Sequence, residues 1–196
     1  MTLDSLTRAA RRAAVAAAVL GIPADAFHFT MTSRADASQS LAFRLHGLGL
    51  LTAFTLTLVA FAALLLVQQG RAGRLGAAGG VLTLFGTTFV IGDLAKEAFA
   101  MPLAPVVIDN PQGYYLLVVV ASFLVLATGW VLTAIALRRT GLLSGPATAL
   151  LVVGAVLAIP PMPGSYILLL IGIAVAVLQL PVTAASERAP LARTAA

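Results

Sequence analysis

Apolar residues run through this chain in long stretches, interrupted by short clusters of charge, proline and glycine. Stretches of about 20 residues match the hydrocarbon core of a bilayer. Breaking the chain at its punctuation predicts six membrane-spanning helices, at residues 13–30, 45–68, 75–100, 114–137, 142–159 and 164–181. Between the last two lie only Pro160, Pro161, Met162 and Pro163, and consecutive prolines cannot continue a helix, so a tight hairpin is expected there. The expected fold is an all-α polytopic transmembrane bundle, one domain over residues 1–196.

The segment RAARRAAVAAAVLGIPADA supports a second expectation, because it also has the basic region, apolar region and small-x-small ending of a signal peptide cleaved after Ala26. Cleavage would leave five helices. Spans one to three and four to six run in opposite orientations, yet no matching residues relate the halves, and no repeat is inferred.

Charge changes the picture from spans to orientation. Eleven arginines and one lysine stand against seven acidic residues. Arg8, Arg11 and Arg12 precede span one, Arg71 and Arg74 join spans two and three, Arg138 and Arg139 join four and five, and Arg188 and Arg193 follow six. An even number of spans puts all of these on one side, and the excess of basic residues in cytoplasmic loops makes that side the cytoplasm. The opposite loops hold Arg34 and little else that is basic. The chain is therefore expected in a bacterial plasma membrane with both termini cytoplasmic. Tyr114, Tyr115 and Trp130 are expected at the two interfaces, where aromatic rings gather.

Composition excludes several classes. At 60% hydrophobic and 10% charged, the chain carries more apolar surface than a soluble core needs. Its arginines flank apolar segments instead of forming one basic stripe, so nucleic acid is not an expected partner. The absence of cysteine removes disulfides, thiolate catalysis and thiolate metal sites. No HExxH, GxSxG or GxxxxGK[ST] pattern occurs, and the glycines of LGAAGG sit in an apolar span where close packing explains them. No cofactor is named by any motif.

Candidate chemistry collects around VIGDLAKEAFAM, residues 90–101. At helical spacing Gly76, Gly79, Gly80, Thr83, Gly86, Thr87, Asp93 and Glu97 share one broad face of span three, with Phe85, Phe89 and Ile91 elsewhere. Small residues let helix backbones approach in lipid, so this face is expected to be buried, carrying Asp93 and Glu97 inward. Helical rise puts Asp93 about 27 Å from the cytoplasmic edge, near the outer interface. The same parity brings Asp25 and His28 to the outer end of span one, Arg44 and His46 to the outer start of span two, and Asp109 to the outer loop.

Two expectations compete for this convergence. In one, Asp93 pairs with Lys96, Arg44 or Lys96 balances Glu97, and the histidines reach into the headgroups, so the cluster only ends helices. In the other, the carboxylates and imidazoles surround an outward-facing site for a cation, a proton, a small ligand or a lipid. A metal set of His28, His46, Asp93 and Glu97 is conceivable by ligand type, but the histidines lack metal-ligand spacing. An intramembrane enzyme acting on a lipid or isoprenoid would use Asp93 or Glu97 as acid and His46 as base. A third class is a non-catalytic subunit whose small-residue faces dock another copy or another membrane protein. Ser122, Thr128 and Thr133 are expected to bond along their own helix, and Gln179 either to reach another helix or to end its own.

The layout, six short Ala/Leu/Val-rich spans with brief loops and arginines at alternate turns, resembles uncharacterised small multi-pass membrane proteins of GC-rich bacteria. That resemblance implies a compact six-helix bundle and carries no functional residue.

Overall fold

The computed structural model describes residues 3–30, 41–68, 71, 73–100, 113–159 and 164–180. Among the described residues six α-helices follow one another: α1 (Leu3–Ala26), α2 (Leu41–Gln68), α3 (Gly73–Ala95), α4 (Gly113–Arg139), α5 (Gly145–Leu157) and α6 (Ile167–Leu178). A 3₁₀ turn (Phe27–Thr30) extends α1, and a π-helical turn (Lys96–Ala100) extends α3. No strand occurs among the described residues. The proline hairpin at 160–163, Asp109, Arg34, Arg188 and Arg193 lie outside the described residues, as do the side chains of His28, Tyr114 and Tyr115.

Each helix packs on the next, and α6 closes the ring onto α1. Neighbours run antiparallel, as the paired approaches of Gly21 to Ala53 and Gly49 to Ala24, and of Gly79 to Thr133 and Gly86 to Leu126, require. The first and last helices are joined at one end by the Arg11 guanidinium, which donates to the Leu180 carbonyl at the C-terminus of α6. Arg8, Arg11, Arg12, Arg71, Arg74, Arg138 and Arg139 all sit at that end. Among the described residues, Arg44 is the one arginine at the other.

Among the described residues, three helices are long and apolar enough to cross a membrane, over Leu41–Leu66, Gly73–Phe99 and Leu117–Arg139. The remaining three differ from the expected spans for identifiable reasons. α1 starts ten residues earlier than residue 13 and carries Arg8, Arg11, Arg12 and Asp25 within one helix. α5 has 13 residues and α6 has 12, about 20 and 18 Å of helix against a core about 30 Å thick. α5 begins late because Ser144 caps it, its hydroxyl accepting from the Ala147 N–H, with Pro146 in the first turn. Gln179 does both things expected of it: its amide oxygen accepts from Ser144 N–H at 2.9 Å while its nitrogen donates to Ser144 Oγ at 3.0 Å, tying the end of α6 to the start of α5.

The interior is built from small residues and the lateral surface from large ones. Gly76, Gly79, Gly80, Thr83, Gly86 and Thr87 are buried, whereas Val81, Phe85 and Phe89 on the opposite side of α3 are more than half exposed. Water disfavours that distribution, and lipid accepts it. The stripe is occupied inside the chain, at Gly80 by Leu65 of α2 and elsewhere by α4: a Cβ on Gly86 would lie 2.4 Å from the Leu126 Cα, and one on Gly129 only 2.3 Å from the Thr83 nitrogen. Thr83 and Thr133 hydroxyls meet across this crossing at 3.4 Å. Thr133 thus bonds between helices, while Ser122 follows the expected pattern and donates to Val118 O at 2.8 Å on its own helix. Trp130 departs from the expected interfacial belt. Its indole is fully buried and stands edge-on to Phe61, centroids 5.1 Å apart, filling the centre that small residues leave open.

Replacing Gly129 by Val should lower stability by about 1–3 kcal/mol or more, because backbone atoms of α3 cannot yield to the new side chain. Gly92→Ala, whose Cβ meets nothing within 4 Å, should instead raise it by roughly 0.5–1 kcal/mol through helix propensity. Thermal melts of the two variants in one detergent should move in opposite directions.

Candidate functional site

The end of the bundle away from the arginines gathers most of the remaining polar groups, and the topology explains how. α1 ends where α2 begins, α3 ends beside α2, and α6 begins against α1. Gly47 makes the junction of α2 with the π-turn possible, since a Cβ there would stand 3.2 Å from the Ala98 backbone. Gly164, at φ +79°, turns the chain into α6 with the Phe29 ring against it. A left-handed φ of this kind favours glycine.

Asp25 is completely buried. Its Oδ2 accepts a hydrogen bond of 3.0 Å from the Tyr166 N–H, at the N-cap position of α6, where no side chain of α6 itself serves as cap. A carboxylate from α1 therefore satisfies the exposed amide end of the last helix, where negative charge is favoured. His46 performs the matching task for α1. Its Nδ1–H donates to the Ala24 carbonyl at 2.9 Å, satisfying a C-terminal carbonyl. The ring is buried, not extended into headgroups as the simpler expectation had it.

Span three divides its charges. The buried stripe continues through Val90, Leu94 and Ala98, so Asp93 and Glu97 lie beside it instead of along its centre. Asp93 Oδ1 accepts from Lys96 Nζ at 3.3 Å across one turn, both side chains about a quarter exposed. The pair lies on a lateral cavity of about 280 Å³ between α3 and α4, walled by Thr88, Phe89, Gly92, Val118, Ser122 and Phe123. Glu97 turns the other way. It is half-buried, lies within electrostatic range of Asp93 and Lys96, and has no hydrogen-bond partner among the described residues. Arg44 is exposed on α2 and forms no ion pair with a described carboxylate, so it does not balance Glu97.

Tyr166 joins these pieces and had no place among the candidates from sequence. Its phenol lies within electrostatic range of Glu97, Asp25 and Asp93, and its ring stands edge-on to Phe54 at 5.2 Å and tilted to Phe123 at 5.9 Å. Beside it, the buried Ser165 hydroxyl has no partner among the described residues. The same parity that located Asp25 and His46 would have placed Tyr166, a single polar aromatic at the start of an apolar run, at this end of the bundle.

The site thus consists of two structural polar contacts, Asp25 to α6 and His46 to α1, and two groups with no hydrogen-bond partner among the described residues, Glu97 and Ser165, with the Tyr166 phenol within electrostatic range of Glu97 and Asp25. Among the described residues, no three of His, Cys, Asp and Glu gather to hold a metal ion. No family model, curated protein or solved structure matches the chain.

Asp25→Ala should cost about 1–3 kcal/mol by leaving the α6 amide end without its acceptor, whereas Asp25→Asn, which keeps an acceptor oxygen, should cost less. Chemical denaturation in mixed micelles measures the difference, and equal losses would show that the amide contact carries no weight.

Proposed function

We propose that the chain is a multi-pass membrane protein that handles a small cation or proton at its polar end, with Glu97 as the exchanging carboxylate. The supporting observation is Glu97 itself, half-buried where the π-turn meets α2, with no hydrogen-bond donor among the described residues and within electrostatic range of the Tyr166 phenol. A carboxylate partly withdrawn from water, with no protein donor beside it, gains by taking up a proton or a cation. π-Helical turns often accompany functional sites, because they shift side chains off the regular helical register.

The gathering of described arginines at the opposite end supports six crossings with both termini in the cytoplasm of a bacterial plasma membrane, and hence a site opening outward. α5 and α6 would complete their crossings with their flanking turns. The bilayer is then the first partner, and association with further copies or subunits would use surfaces other than the α3 stripe, which α4 and α2 already cover. The enzyme alternative has less support, since the proposed base, His46, is only 3% exposed.

Glu97→Gln tests the proposal. In proteoliposomes carrying an imposed cation or proton gradient, flux should fall at least about tenfold, the scale expected when an essential exchanging group is lost. The melting temperature should stay equal or rise, because a withdrawn charge has been removed. Tyr166→Phe should retain the fold and reduce flux less. Unchanged flux in Glu97→Gln, or no flux in the parent protein above empty vesicles, would refute the assignment.

A further inference from the structure

The cavity between α3 and α4 adjoins the cluster around Glu97 through Asp93, Lys96 and Phe123, but it faces sideways and Glu97 is not among its walls. Phe89 is 54% and Val118 38% exposed on the lateral surface, and Gly92 offers an open floor, with nothing within 4 Å of where its Cβ would stand. Its two wall hydroxyls are internally satisfied: Thr88 donates to Leu84 O and Ser122 to Val118 O, each at 2.8 Å. The walls therefore present methyl, methylene and ring surface with no polar demand of their own, as an acyl chain requires. At the helix-end margin the lining changes to the Asp93 carboxylate and the Lys96 ammonium, adjacent and of opposite sign.

We propose that this groove holds one zwitterionic, amine-bearing diacyl phospholipid, an acyl chain lying between Gly92 and Ser122, the phosphate at Lys96 and the headgroup ammonium at Asp93. Three observations favour that occupant. Both α3 and α4 are long and apolar enough to cross a bilayer, so the fluid meeting an exposed lateral groove is lipid. The charged pair is at the helix end, at headgroup depth for a chain whose tail lies along the helices. The pair carries both signs, which complements a phosphate with an attached ammonium, whereas a purely anionic headgroup would meet Lys96 but be repelled by Asp93. Apart from residence in a membrane, the inference is independent of ion handling at Glu97.

Native mass spectrometry of the full chain, delipidated and then exposed to equimolar phosphatidylethanolamine and phosphatidylglycerol in detergent, tests it without any flux measurement. One phosphatidylethanolamine should be retained, preferred by about fivefold, the scale of one partly exposed ion pair. Asp93→Asn should bring the two lipids to near-equal retention. Gly92→Leu fills the floor, where a Cβ meets nothing within 4 Å, and should abolish the single bound lipid, and Ser122→Leu should do so from the other wall. Equal retention of the two lipids by the parent chain would overturn the proposal, as would undiminished retention in either filled variant that melts like the parent. So would an efficient disulfide between Gly92→Cys and Val106→Cys in this otherwise cysteine-free chain, since residues 101–112 would then occupy the groove.

Discussion

The contact on which this bundle depends is the backbone-to-backbone crossing of α3 and α4. Lipid supplies no hydrophobic drive for one apolar helix to leave it for another, so association must come from close dispersion contact and the few polar groups that can meet inside. Gly79, Gly86 and Gly129 remove the side chains that would hold the two axes apart, and the Thr83 and Thr133 hydroxyls then come within reach of each other. Other neighbours use the same device less intensively. Gly21 and Gly49 seat α1 on α2, and Gly154 and Gly172 seat α5 on α6. Where small residues leave space, a few large ones fill it, Trp130 against Phe61 and Tyr166 against Phe54.

That economy explains what the sequence disclosed and what it withheld. Helix class, the rough positions of six helices, the buried stripe from Gly76 to Thr87 and the separation of arginines from the polar cluster all follow from local patterns: apolar run length, 3.6-residue spacing and the placement of charge. These are properties of one segment at a time. Helix ends were less legible, because hydropathy continues past Leu157 and Leu178 while backbone geometry does not. Trp130 was misplaced because its composition suits an interface, while the space it fills is created by residues on two other helices.

The polar end shows the same limit in its chemistry. Parity brought Asp25, His46, Asp93, Lys96 and Glu97 to one end correctly, yet could not assign partners. The Asp25 carboxylate answers an amide 141 positions later, and no local pattern records that α6 begins there without a cap of its own. His46 likewise completes α1 through the carbonyl of Ala24. Two residues with the look of catalytic groups thus turn out to satisfy backbone ends that burial would otherwise leave costly. A polar residue in such a bundle is better judged by the backbone groups it meets than by its own reactivity.

Asp93 and Glu97 separate for a reason that begins in the same α3–α4 crossing. Through Gly86 the face of α3 is small and the backbones touch, but beyond it the buried positions are Val90 and Leu94, and Val90 lines the groove together with Phe123 and Val119 of α4. These side chains need room, so close contact gives way to the groove that Gly92 floors. Asp93, one position short of Leu94, falls on the groove side with Lys96 a turn later. Glu97 falls beyond the regular helix, in the π-turn that Gly47 admits against α2, and is carried toward Tyr166. One change from glycine to larger residues along a helix face therefore produces two chemically different places from a single acidic sequence, a lipid-facing ion pair and an inward carboxylate.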